Sequence, residues 1–241
     1  MPLSSTANDR VEWALGELKQ VLADRAEDPH ARAALQTLRD AFCAVHSRAS
    51  LDPLTGLMNR TSFDQALARV LGRTGLDRPR AALMFMDLDG FKRVNDERGH
   101  RIGDHLLQIV AARVVGCVRE HDLLARYGGD EFVVLLDELA STEVVHAIAT
   151  RIIASLSAPF RLQGLRLRLS VSIGVALFPE HGGSAEQLLR RADAAMYRAK
   201  REGGRRYLVC SPASDDQAGS YARLDISQRS TAATDIPLRR A

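Results

Sequence analysis

Cysteine is scarce here, and its placement excludes as much as its number. Cys43, Cys117 and Cys210 are odd in count, scattered and without metal-ligand spacing. That pattern predicts neither a disulfide framework nor a thiolate metal site, and it suits a reducing cytoplasm. Long apolar runs are missing too: none approaches the length of a membrane span, and the N-terminus lacks the basic-then-apolar pattern of a secretory leader. A cytoplasmic protein with no membrane span is expected. Strong net charge is also absent, since 33 Lys and Arg against 30 Asp and Glu leave +3. That is too little to argue for a nucleic-acid partner. No glycine-rich loop ending in Gly-Lys-Ser/Thr exists, which excludes a P-loop enzyme, and no internal repeat is visible. What remains is ordinary for a globular chain of 241 residues, 46% hydrophobic and 26% charged. It suffices for one well-cored domain with an appendage.

The most informative stretch is Arg126-Tyr127-Gly128-Gly129-Asp130-Glu131-Phe132. It lies between the apolar runs Leu123-Leu124-Ala125 and Phe132-Val133-Val134-Leu135-Leu136. The pattern predicts a β-hairpin with an acidic tip, where glycine permits a tight turn and leaves room for a ligand. Two carboxylates on such a turn repel each other unless a cation lies between them. A second acidic element is upstream, where Ala81-Ala82-Leu83-Met84-Phe85-Met86 runs into Asp87-Leu88-Asp89-Gly90. The run predicts a buried central strand that delivers Asp87 at its C-terminal end. If that strand pairs with the hairpin, Asp87 and Asp130 can share a metal.

Together these residues resemble the GGDEF family of diguanylate cyclases. Gly128-Gly129-Asp130-Glu131-Phe132, Asp87-Leu88-Asp89-Gly90-Phe91-Lys92 and Asn95-Asp96 carry the resemblance. Asp52-Pro53-Leu54-Thr55-Gly56-Leu57 before them is similar to the family's lead-in, as are Gly99-His100 and Gly103-Asp104. Ser170–Ala176 and Ala192–Lys200 complete it. The match covers about residues 50 to 210. It implies an α/β (α+β) fold similar to the palm of nucleotide cyclases and polymerases, a mixed central sheet flanked by helices. It also implies condensation of two GTP into cyclic di-GMP, with release of two pyrophosphates, by a head-to-head homodimer.

The resemblance assigns roles residue by residue. Asp87, Asp130, the Leu88 carbonyl and Glu131 would hold Mg2+, with Mn2+ as a substitute. Asp130 and Glu131 are also the candidates for handling the ribose hydroxyl proton. Oxygen ligands suit such a hard cation, with phosphate and water completing its shell. Asp104 would accept from guanine N1–H and the 2-amino group, Asn95 would add an amide contact, and His100 belongs to the same stretch. The backbone near Phe91 and Lys92 would meet phosphates, with Lys92 stabilising transition-state charge and Lys200 binding phosphate from the last helix. Gly204 stands where the family has a second basic residue, leaving Arg205 as the substitute and implying weaker GTP binding. Arg119-Glu120-His121-Asp122 resembles the inhibitory RxxD site, with Arg119 and Asp122 binding cyclic di-GMP and Arg151 as a candidate second arginine. Taken singly, Asp104 could complement a helix N-terminus and Arg119 with Asp122 could form a surface pair. Their joint spacing favours the ligand roles.

Outside this region, residues 1–48 form an expected helical stalk broken at Asp28-Pro29. Its short heptad seams are Val11, Leu15, Leu18, Leu22 and then Leu35, Leu38, Phe42, Val45. Two readings stay open, a hairpin packed on its own domain or a stalk that pairs with a second copy or docks a regulatory protein. The stalk is too short to build a sensory pocket, so control in trans is expected. Residues 49–210 are the expected catalytic domain and 211–241 an expected disordered tail. Within the domain, helices are predicted over 58–71, 91–97, 102–118, 142–156 and 185–201. Strands are predicted over 81–87, 167–178 and 206–209, besides the hairpin. The alternative function is a catalytically silent sensor of GTP or cyclic di-GMP.

Overall fold

The computed structural model describes residues 50–73 and 81–211. The expected stalk and all of the expected tail past Ser211 lie outside the described residues. Thirteen elements follow in chain order: β1 (Met58–Asn59), α1 (Arg60–Leu71), β2 (Ala81–Asp89), α2 (Phe91–Arg98), α3 (His100–Val115), β3 (Leu123–Arg126) and β4 (Glu131–Leu136). Then come α4 (Thr142–Ser157), β5 (Phe160–Leu162), β6 (Leu165–Leu167), β7 (Ser170–Phe178), α5 (Ala185–Arg201) and β8 (Tyr207–Val209). Six strands form one mixed sheet in the order β1-β3-β4-β2-β7-β8, with β5 and β6 as a separate hairpin.

The apolar run from Ala81 makes β2 a central strand because both its faces are covered. Alternate residues Ala82, Met84, Met86 and Leu88 enter one core with Leu106 and Val110 of α3 and Ile148 and Ile152 of α4. Ala81, Leu83 and Phe85 enter the other core with Phe63 and Leu67 of α1 and Leu188, Ala192 and Met196 of α5. The fold class read from the sequence is therefore the one observed, a mixed sheet flanked by helices. Among the described residues no helix is long and apolar enough to cross a membrane.

Three local expectations are corrected. The helix expected through Val118 stops at Val115, where Gly116 N–H closes on the Ala112 carbonyl and Cys117 N–H tightens the chain onto the Val114 carbonyl. The single strand expected over 167–178 is two elements. Phe160–Leu162 pairs with Leu165–Leu167 through Gln163 and Gly164, both at positive φ (50° and 80°). Apolar-polar alternation around a Gln-Gly pair was the available signal for that hairpin. The helix expected over 58–71 starts at Arg60, because Met58 and Asn59 pair with Ala125 and Arg126 as β1 and the Asn59 side chain caps the helix by accepting from Ser62 N–H.

Candidate active site

The sheet register brings the two acidic elements together. β2 runs antiparallel to β4 with Asp87 directly opposite Glu131, and Leu88 N–H donates to the Asp130 carbonyl at 3.3 Å. Asp87 shares strand parity with Leu83 and Phe85, so its side chain lies on the α5 face. There Lys200 Nζ stands 2.5 Å from Asp87 Oδ1. Helix α5 can come this close because Gly174 on β7 has no side chain. A methyl group there would overlap the Ala192 carbonyl and the Met196 amide, and lie 2.9 Å from the Ala195 carbonyl carbon.

The hairpin tip is held from two sides. The Arg126 guanidinium donates to the Gly129 carbonyl at 3.1 and 2.8 Å and to Asp52 Oδ1 and Oδ2 at 3.2 and 3.1 Å. Asp52 in turn accepts from Thr55 N–H and its hydroxyl at 2.9 and 2.6 Å, which is why the lead-in segment is folded onto the turn. On the other side Tyr127 donates to Asp64 Oδ1 at 3.0 Å and packs edge-on to Phe63 and Phe85. Burial, with Asp64 adding to it, pushes the Tyr127 phenol up to about 12. The two glycines have separate reasons. Glu131 Oε2 folds over Gly128, where a Cβ would collide with it, while Gly129 faces open space.

Burial pushes the Asp87 carboxyl up to about 7. Lys200 pulls it back, and Asp130 and Glu131 add to the rise. Burial raises Asp130 as well, against Lys200 and Arg126. Both carboxyls stay raised despite Lys200 and Arg126, and a divalent cation fits the charge deficit that remains. Among the described residues no three His, Cys, Asp or Glu side chains are placed to hold a metal ion by themselves. The arrangement suits a cation whose remaining ligands come from phosphate and water.

Asp89, the second acid of the Asp-Leu-Asp run, is committed elsewhere. Its oxygens accept from Ser170 Oγ (2.7 Å), Ser172 Oγ (2.8 Å) and Arg205 N–H (3.1 Å). It thereby ties the turn after α5 to β7, close to Lys200. Gly204, at φ 66°, packs on this carboxylate, and a Cβ there would lie 2.9 Å from Oδ2. Asp89→Ala would strand the buried Ser172 hydroxyl and the Arg205 amide. The expected result is a loss of about 2 kcal/mol, read as a fall of roughly 5 °C in melting temperature.

The remaining expected residues are placed as follows. Phe91 and Lys92 open α2 after Gly90 (φ 83°), whose position supplies no side-chain cap, so first-turn N–H groups remain for an anion. Asn95 on α2 lies against Gly103 of α3, its Oδ1 buried without a hydrogen-bond partner among the described residues. Next to Gly103, Asp104 is exposed, as is His100 at the start of α3. Arg205 is exposed, with its backbone at φ 53°. Arg119 and Asp122 lie at the opposite end of β3 from the hairpin tip. The turn there is closed by Arg119 N–H donating to Asp122 Oδ2 at 2.8 Å. Arg151 reaches the same region, donating to the Cys117 carbonyl at 3.2 and 2.5 Å. Arg126, Asp52, Asp89 and Gly174 lie within motifs read from the sequence, which assigned them no role of their own. Only Asp52-x-x-Thr55 carried a local signal, that of a side-chain-closed turn.

Residues 49–206 match the family described as diguanylate cyclase, GGDEF domain. The chain belongs to the GGDEF family. It is similar to the diguanylate cyclase TpbB of Pseudomonas aeruginosa, 45% identical over 189 residues that span 78% of this chain and 42% of TpbB. The solved GGDEF-only structure of that protein superposes with a TM-score of 0.67 at 44% identity, covering 70% of this chain and 98% of the other. The cyclic di-GMP phosphodiesterase NbdA of the same organism is 38% identical over 188 residues, 78% of this chain and 24% of NbdA. The chain therefore spans less than half the length of either curated relative.

Proposed function

We propose that the chain is a diguanylate cyclase, joining two GTP into cyclic di-GMP with release of two pyrophosphates in a head-to-head homodimer. The observation that carries this reading is the meeting of Asp87, Asp130 and Lys200 beside the uncapped start of α2. In this reading Asp87 and Asp130 hold Mg2+ or Mn2+, with Glu131 and the Leu88 carbonyl beside them. The bound cation would neutralise triphosphate charge and acidify the ribose 3′-hydroxyl. Asp130 and Glu131 would then accept that hydroxyl's proton. The Phe91 and Lys92 amides meet the phosphates, with the Lys92 and Lys200 ammonium groups and Arg205 adding positive charge.

Guanine would be read by Asp104 and by Asn95, whose amide is pinned against Gly103. Leaving such a site unpaired is what rejects adenine. His100 lines the same stretch. Arg119 and Asp122, with Arg151 close by, are the proposed inhibitory site for cyclic di-GMP. Its guanidinium groups suit phosphate geometry. Because each domain would hold one GTP, pairing through residues 1–48, or a regulator docked on them, would set the rate.

The test is incubation of the purified chain with GTP and Mg2+ followed by chromatography. A cyclic di-GMP peak should appear and fall at least about a hundredfold in Asp130→Ala. A second reading, a silent nucleotide sensor, is favoured by one observation: Gly204 replaces a basic residue, and the Arg205 amide is held by Asp89. Product absent from both the chain and a version fused to a strong dimeric coiled coil, with cyclic di-GMP still bound, would select the sensor.

A further inference from the structure

A second cleft, of about 320 Å3, opens between α2 and the β6–β7 connection, lined by Arg93, Glu97 and Arg98 on one side and Arg166 and Arg168 on the other. Val94 and Leu167 are its apolar lining. Glu97 is the one acid at its wall, and Arg93 Nε already stands 3.8 Å from it. Among the described residues the side chains of Arg98, Arg166 and Arg168 have no hydrogen-bond or ion-pair partner, so three guanidinium groups line one small space uncompensated. A second observation points the same way. Arg161 and Arg166 are paired directly across the β5–β6 hairpin. Like charges in that position repel and cost stability unless an anion offsets them.

We propose that this cleft binds a diphosphate-class anion, either free pyrophosphate or the polyphosphate tail of a nucleotide. Guanidinium presents a planar fork of donors that matches phosphate oxygens two at a time and never loses its charge. Several phosphates in one ligand match several arginines. The volume lies at the small end of ligand pockets, which run from roughly 300 to 1,000 Å3, and the lining offers no aromatic face for a base. A polyphosphate is therefore a better fit than a whole dinucleotide. Both walls continue into the candidate active site. α2 follows Asp87 and Asp89 in the chain, and Arg168 just precedes Ser170, which donates to Asp89. The inference rests on the cleft alone and stands whether or not the chain makes cyclic di-GMP.

Isothermal titration of the full chain with inorganic pyrophosphate, in low salt with divalent ions chelated, tests it. Pyrophosphate should bind the chain and a variant at an exposed arginine outside both sites, Arg69→Gln, alike, and about tenfold more weakly to Arg166→Gln/Arg168→Gln. All four lining arginines are exposed, so the double variant should fold; its melting temperature, equal to or above that of the parent, checks this. GTP is then tried as a competitor: displacement assigns the cleft to a nucleotide tail, and no displacement assigns it to free pyrophosphate. Four outcomes overturn the proposal: no binding at millimolar pyrophosphate, undiminished binding in the double variant, equal loss in Arg69→Gln, or tighter binding of cyclic di-GMP than of pyrophosphate at the arginines.

Discussion

Asp87→Asn should abolish conversion of GTP and, in the same protein, raise the melting temperature of the metal-free chain. The two effects have one cause. Asp87 is buried opposite Glu131 and near Asp130, and its carboxyl is pushed up to about 7 despite Lys200. A carboxyl raised above its ordinary value stabilises the fold while protonated. That contribution is fully present below pH 3.8 and is lost as pH rises through about 7. The uncharged amide avoids the loss, and Lys200 retains Asp130 as a partner. The gain over the parent should therefore be small near pH 4, grow towards neutrality and level off above pH 7. There it should reach roughly 5 °C. Removing the proposed cation ligand should meanwhile lower product formation at least about a hundredfold. Thermal melts between pH 4 and 8 in chelator, paired with chromatography of the GTP reaction, check both halves. A melting temperature unchanged or lowered at pH 8 would show that the Lys200 ammonium by itself already compensates Asp87.

Gly174→Ala should be the most destabilising single methyl added to the sheet. Gly174 pairs with Phe85 on one side and Leu208 on the other, in ordinary extended backbone that alanine adopts without strain. The damage would come from space. The added carbon would overlap backbone atoms of α5, which cannot rotate away as a flexible side chain can. Overpacking of this kind costs about 3 kcal/mol, which corresponds to a fall of roughly 10 °C in melting temperature. If the helix yields instead, Lys200 withdraws from Asp87, and GTP affinity should fall further than in a variant destabilised at a distance, such as Phe63→Leu. Melting curves alongside GTP titrations of the two variants separate those effects.

Much of the candidate site was legible because its residues punctuate apolar runs. Met86-Asp87 ends a wholly apolar stretch, and Asp130-Glu131 interrupts two others, so both acids were placed at strand ends before any pairing was known. The motif spacing carried the family. Asp89 was not legible. In the sequence it is the twin of Asp87, two positions on in the same strand and on the same face, yet it serves Ser170, Ser172 and the Arg205 amide. Nothing local separates a carboxylate that meets ligand from one that joins two distant segments. The same holds for Arg126, whose partners are the adjoining turn and a distant lead-in loop. Gly204 reads in the sequence as a missing base. In the fold it is a small residue packed on the Asp89 carboxylate.

The sequence by itself determined most of the strands and helices, though neither β1 nor the β5–β6 hairpin, together with the family and the identity of the acids at the centre. Each follows from periodicity and from short motifs, which are local properties of the chain. The tertiary structure alone decided that Asp87 faces Glu131, that α5 lies on Gly174 and sets Lys200 beside Asp87, and that arginines from α2 and β6 share a cleft. Those facts depend on strand register and on backbone-to-backbone packing. Both are fixed by the simultaneous burial of two cores on opposite faces of one sheet, which no single stretch of sequence contains.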